Sequence, residues 1–213
     1  PGDEGAHTTT WTEQGQLFLA ALPTTVSRHN SETRSWAITK QLSAAPKKGA
    51  LNVILAISDP EHALAAVLAA SRCFPTYSGT KDTKERSVTL LILAPNGVVT
   101  DERGHLAAAI TGARFTASLV DMPPNILTPA HFVALAQETA AAMSNTSITV
   151  ISGEDARDAG LGGIWGVGQA STSPPALVII DYKPDNAQSH VAWVGKGITY
   201  DTGGLSIKPK MGM

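Results

Sequence analysis

Lys196, Asp201 and Lys208 lie close together in the segment VAWVGKGITYDTGGLSIKPKMGM, residues 191 to 213. An amine, a carboxylate and a second amine at such short spacing are a chemically useful set. A carboxylate oxygen binds a divalent cation, whereas a lysine amine binds one only when neutral, a form that a nearby dication and desolvation both favour. One lysine could therefore hold metal while the other keeps its charge. Gly195 and Gly197 allow close backbone approach on either side of Lys196, and Gly203 with Gly204 allows a tight turn that could bring Lys208 back toward the same cavity. The plain alternative is a solvated loop, because charged residues beside glycine-rich turns are mostly exposed. Spacing alone leaves both open. A phosphate-cradling loop is disfavoured: GKG lacks the Ser or Thr that follows lysine in GxxxxGK[ST], and the preceding glycine spacing is wrong.

The elements around this set must supply a rigid frame. The run HVAWVGK (190–196) reads as a strand, which would place Lys196 outside the carboxyl end of a strand, where open α/β sheets hold their ligands. Upstream, strand-like and helix-like runs alternate. QLFLAAL (16–22) reads as a strand, and Ser31 is positioned to cap a helix from Glu32 to Leu42. LNVILAI (51–57) and VTLLILA (88–94) are apolar throughout, as expected for strands of a parallel sheet buried on both faces. Between them, PEHALAAVLAASRCF (60–74) opens with Pro60 at a favourable first helical position. An alanine-rich helix is expected over 101–120, stopped by Pro123 and Pro124, and a second over 125–143 with Thr128 as cap and Pro129 as first residue. Next come a strand at 147–152, a short helical piece at 154–158, the glycine-rich LGGIWGVGQAS (161–171) and the strand ALVIIDY (176–182). The fold class is α/β: an N-terminal α/β domain over 1–100, a helical connector over 101–127, and the start of a second α/β domain over 128–213.

Composition excludes several functions. Sixteen basic residues against 18 acidic ones leave a net charge of -2, without the basic block that nucleic acid or an anionic membrane surface would require. The apolar runs fall far short of the roughly 20 residues of a membrane-spanning helix. With one cysteine, Cys73, there is no intrachain disulfide, which favours a reducing compartment and so the cytoplasm. The opening PGDEGAHTTT lacks the basic start and apolar centre of a signal peptide.

Other residues have simpler explanations. His29, His105 and His131 lack HExxH or paired-ligand spacing and read as ordinary polar or half-buried side chains. Cys73 lies in an apolar helical pattern and reads as a packing residue. GVGQAS is an incomplete GxGxxG without a strand directly before it, and Trp165 and Trp193 read as core aromatics, with a subunit contact a second role for Trp165.

The segment GKGITYDTGGLSIKPK resembles the VGKGxTFDSGGLSIK signature of the leucyl aminopeptidase (cytosol aminopeptidase) family. LVDMPPNILTP (119–129) is similar to the family's LVNTPPNxLTP segment, and LGGIWGVGQASTSPPALVIIDY (161–182) to its GVGQGSxxPPRLIxLxY segment. ALPTTVSRHNS (21–31) together with the signature resembles an animal aminopeptidase-like branch. The resemblance is densest from about residue 105 onward. It implies that Lys196 is a metal ligand, that Asp201 is shared by two divalent metals, and that Lys208 polarises the scissile carbonyl of a peptide substrate. It further implies a macro-like N-terminal domain, an α/β/α metallopeptidase domain and a homo-hexamer. The metals implied are zinc or manganese, with magnesium or cobalt compatible. Tyr200 and Thr202 stand where the signature more commonly has Phe and Ser, both mild departures. The family completes its site with further carboxylates and a DAEGR-like motif whose arginine holds a bicarbonate, and none of these occurs in the 213 residues. The expectation is half a site, inactive until the remaining catalytic segment of the same protein joins it. A macro-like binding module and a non-catalytic, aminopeptidase-like structural protein are the alternatives from other functional classes.

Overall fold

The computed structural model describes residues 4–28, 31–77, 79, 86–199 and 211, in two compact units, Pro1–Asp121 and Met122–Met213. In the first unit, β1 (Ala6–Thr12) and β2 (Gly15–Ala21) form an antiparallel hairpin whose register closes at Thr12↔Gly15. Gly15 takes a φ of 125°, which admits little but glycine, to turn the chain into β2. β1 was not anticipated from the sequence. All its residues are exposed, so there is no in–out alternation to read; the pairing rests on the turn and the backbone ladder. His7 Nδ1 donates to Gln41 Oε1 at 2.8 Å and ties the hairpin to the first helix.

That helix, α1 (Ser35–Ala44), begins three residues later than Ser31 and Glu32 suggest. Ser31 does not cap it. The Ser31 carbonyl instead accepts from Arg34 N at 2.9 Å, closing a turn, and Arg34 stands at the N-cap with a left-handed φ of 54°. β3 (Leu51–Ala56) then pairs in parallel with β4 (Val88–Ala94), from Leu51↔Val88 to Ala56↔Leu93, and β5 (Gly97–Val98) adds a short antiparallel partner. The crossover runs through a single turn at Pro60–His62 and α2 (Ala63–Ser71). Asp59 starts it by accepting from Glu61 N at 2.8 Å.

The core of this unit lies between the sheet and its helices. Ile38 of α1 packs with Ala66, Ala69 and Ala70 of α2, against Leu55 and Leu90 of the sheet. Alanine at three successive contact positions lets the two helices approach closely. A second cluster, Ala63, Val67 and Ile92, receives Leu106 and Ile110 from α3 (His105–Asp121). The helix expected to lie between the two domains therefore packs into the first. The sheet is not buried on both faces, contrary to the continuous apolar runs. Ile54 is 66% exposed, and its registered neighbour Leu91 is exposed with it, because α1 and α2 both cover the opposite face.

In the second unit, α4 (Pro129–Ala141) packs on a two-stranded antiparallel sheet of β6 (Thr146–Ser152) and β7 (Ala176–Tyr182). The connection between the strands carries α5 (Glu154–Asp158) and α6 (Gly162–Gly168). The glycine-rich run is thus partly helical. Gly153, at a φ of 58°, donates its N–H to Pro175 O at 2.9 Å, pinning the start of α5 to the entrance of β7.

Candidate metal centre

Of the three residues singled out by spacing, Lys196 is among the described residues; Asp201 and Lys208 lie outside them. Lys196 does not follow a strand. Residues 183 to 199 form no strand, and Trp193 and Val194 are 94% and 97% exposed. The reason is physical: a strand exists only where a neighbour completes its backbone ladder, and among the described residues β7 pairs with β6 alone. Trp193, expected as a core aromatic, is exposed among the described residues.

The two glycines flanking Lys196 differ. Neither takes a left-handed φ, so backbone conformation does not demand glycine at either position. Around Gly195 there is open space, with no described atom within 4 Å of where a Cβ would stand. A Cβ on Gly197 would lie 3.2 Å from Cε1 and 3.7 Å from Cδ1 of Phe132. The chain immediately after Lys196 therefore runs against an aromatic ring of α4.

That ring is well anchored. Thr128 caps α4, its Oγ1 accepting from His131 N at 3.2 Å, with Pro129 as the first helical residue. Ser173 Oγ accepts from Ala130 N at 3.2 Å, and His131 Nδ1 donates to Ile126 O at 2.8 Å. Buried Leu127 precedes the cap and Phe132 stands four residues after it, the two positions of a hydrophobic staple. Phe132 was not read as a site residue, because its relation to Gly197 appears only once α4 is folded.

Two other candidates are engaged in local contacts. The Cys73 thiol donates to Thr39 O at 3.4 Å between α1 and α2. Trp165 is half-buried beneath the Arg157 guanidinium, 5.7 Å above its ring, and Arg157 is held above its ordinary pKa by Asp158. His29 falls outside the described residues. Among the described residues no three His, Cys, Asp or Glu side chains gather as a metal site, and no helix is long and apolar enough to cross a membrane. As a donor set, an amine at Lys196 and a carboxylate at Asp201 fit borderline divalent cations, which accept nitrogen and oxygen together.

The chain belongs to the cytosol aminopeptidase family: that family's catalytic-domain model matches residues 114–213, and the M17 aminopeptidase N-terminal domain 2 model matches residues 4–84. It is similar to the probable aminopeptidase NPEPL1 of Mus musculus, 35% identical over 203 residues, covering 92% of this chain and 38% of the mouse protein. Its structure is similar to that of leucine aminopeptidase LAP1 of Caenorhabditis elegans, with a TM-score of 0.81 and 35% identity, covering 92% of this chain and 40% of that one. A further likeness, with a TM-score of 0.71 and 25% identity, is to the bottromycin maturation enzyme BotP in complex with Mn, over 99% of this chain and 46% of that one. The chain thus spans about two fifths of the length of the curated relatives it matches.

Proposed function

We propose that the full-length protein is a metal-dependent aminopeptidase that releases N-terminal, leucine-type residues from peptides. One observation carries this reading: the lysine, aspartate and lysine of the signature stand intact at 196, 201 and 208, inside the stretch that matches the family's catalytic domain. In this reading 128–213 opens the catalytic domain, 1–100 is an N-terminal domain and 101–127 connects them.

Lys196, as a neutral amine, and Asp201, as a carboxylate, would hold the metal, with the remaining donors coming from the rest of the full-length protein. When bound, a pair of divalent cations supplies Lewis-acid polarisation of the scissile carbonyl and activation of the attacking water. Lys208 keeps its proton and donates to the carbonyl oxygen as negative charge develops there, an interaction stronger in the transition state than in the ground state. A mixed nitrogen and oxygen donor set suits zinc or manganese, and magnesium or cobalt remain compatible. Bicarbonate would bind through residues beyond this chain. We place the protein in the cytoplasm as a homo-oligomer, a hexamer by family resemblance.

The test is hydrolysis of leucine p-nitroanilide by the full-length protein, before and after chelation and after return of Mn²⁺ or Zn²⁺. Activity should vanish with the metal and return with it. Asp201→Ala should lose both metal and turnover while keeping its oligomeric state. An Asp201→Ala protein with undiminished metal and turnover ends the mechanism, and wild-type protein that holds metal but cleaves no peptide favours the non-catalytic alternative.

A further inference from the structure

We infer that Phe132 is a positioning residue for Lys196, acting through the backbone at Gly197. The inference rests on the reading of Lys196 as a metal donor. A long, flexible side chain on an open segment is a poor ligand until its backbone is fixed, because ordering it costs conformational entropy. Among the described residues of the second unit, no strand ladder holds the segment around Lys196. What it has is the ring of Phe132, the sole group within 4 Å of the Gly197 Cβ position among the described residues. The ring stands on a helix whose first turn is fixed by Thr128, Ser173 and His131, and which packs on β6 and β7. Position is therefore passed from the sheet to α4, from α4 to the ring, and from the ring to the residue bonded to Lys196.

The same geometry explains why residue 197 is glycine. Its φ does not require one, but a methyl group at 3.2 Å from Cε1 is closer than side chains normally pack, so either the ring or the chain must give by a few tenths of an ångström. The ring is held by the anchored helix, so displacement falls on the segment that carries Lys196. Loss of groups that orient a metal ligand commonly costs about tenfold or more in metal affinity.

The experiment is calorimetric titration of Mn²⁺ into metal-free, full-length protein, with circular dichroism and thermal melting as controls for folding. Gly197→Ala should bind Mn²⁺ about tenfold more weakly than wild type. Phe132→Leu, which removes the ring edge and keeps an apolar side chain, should by itself bind Mn²⁺ about tenfold more weakly than wild type, and the double variant Phe132→Leu/Gly197→Ala should lose less than the two single losses combined, because both act on one contact. A folded Gly197→Ala or Phe132→Leu protein with wild-type affinity overturns the inference, as do single losses that add in full in the double variant. Lys196→Ala separates the underlying reading. If it binds Mn²⁺ as tightly as wild type, the assignment of Lys196 as a donor fails, whereas a weakened Lys196→Ala with an unaffected Gly197→Ala sinks the positioning role alone.

Discussion

The ring of Pro175 lies directly on Gly168: a Cβ at Gly168 would stand 2.3 Å from Pro175 Cβ and 2.6 Å from its Cγ. The contact joins the end of α6 to the residue that leads into β7, and Pro175 O in turn accepts from Gly153 N at 2.9 Å. Glycine, proline and glycine thus bind the long connection between β6 and β7 to the sheet it leaves. Gly168→Ala should destabilise the protein by about 1–3 kcal/mol, the usual cost of forcing atoms into a filled site. Gly163 lies in the same helix with open space around it. Gly163→Ala should be neutral or stabilising by up to about 1 kcal/mol, because alanine loses less backbone entropy in a helix. Urea unfolding of both variants checks this, and equal midpoints would refute the proposed contact.

Arg34 joins the exit of β2 to the start of α1. Its Nε donates to Pro23 O at 2.8 Å, Nη1 to Ser31 O at 2.8 Å and Nη2 to Thr24 O at 3.0 Å, from a backbone held at a φ of 54°. Arg34→Ala should cost about 2 kcal/mol, since it removes charge-assisted donors and leaves a strained backbone behind. Arg34→Gly should fall between wild type and Arg34→Ala, having lost the same donors but relieved the left-handed strain. Lysine, a point donor, cannot span three carbonyls and should recover under half of the loss. Thermal melts of the three variants test the order; glycine melting at or below alanine would contradict it.

These relationships mark where sequence reading succeeds and where it stops. β3, β4 and α2 were legible because each carries its burial in its own residues, and the start of α4 because Thr128 and Pro129 are local capping chemistry. The hairpin strand β1 was not, since its stability lies in a partner and a turn and not in its own alternation. Ser31 was a sound cap by type, yet Arg34, with three carbonyls within reach, moved the helix start. The run 190–196 has the composition of a strand, but composition supplies no neighbour. Lys196, Asp201 and Lys208 stand out in the sequence by type and spacing, with their roles resting on the family resemblance, while Phe132 does not, because its relevance is a distance across the fold.

Asp101 gives the first unit a measurable acid response. Its Oδ2 accepts from Ala107 N at 2.9 Å at the beginning of α3. That bond, with smaller contributions from the N–H groups of Leu106 and His105, holds the carboxyl below its ordinary value of 3.8 despite some desolvation. A depressed folded pKa means that the stabilisation is present above the ordinary value and is lost as pH falls through the lowered folded value. Asp101→Asn keeps an acceptor and removes the charge that favours a helix N-terminus. Its melting temperature should lie below wild type at pH 6, with the gap closing as pH drops below 3.8. A gap that stays constant across that range would assign the effect to something other than the carboxylate charge.

Lys208 and Asp201 should separate by what their loss removes. If Asp201 is a metal donor, its removal empties the site, and KM and kcat both lose meaning. If Lys208 acts on the carbonyl oxygen as charge develops, Lys208→Met leaves metal binding intact and removes an interaction made chiefly in the transition state. Such losses fall in kcat, by about 10²- to 10³-fold for a single donor to a developing oxyanion, with little change in KM. Steady-state kinetics on the full-length protein, with metal content measured on the same preparation, distinguishes the two roles. Loss of metal in Lys208→Met would move that residue into the ligand set, and a raised KM at unchanged kcat would make it a residue that binds substrate without assisting the chemical step.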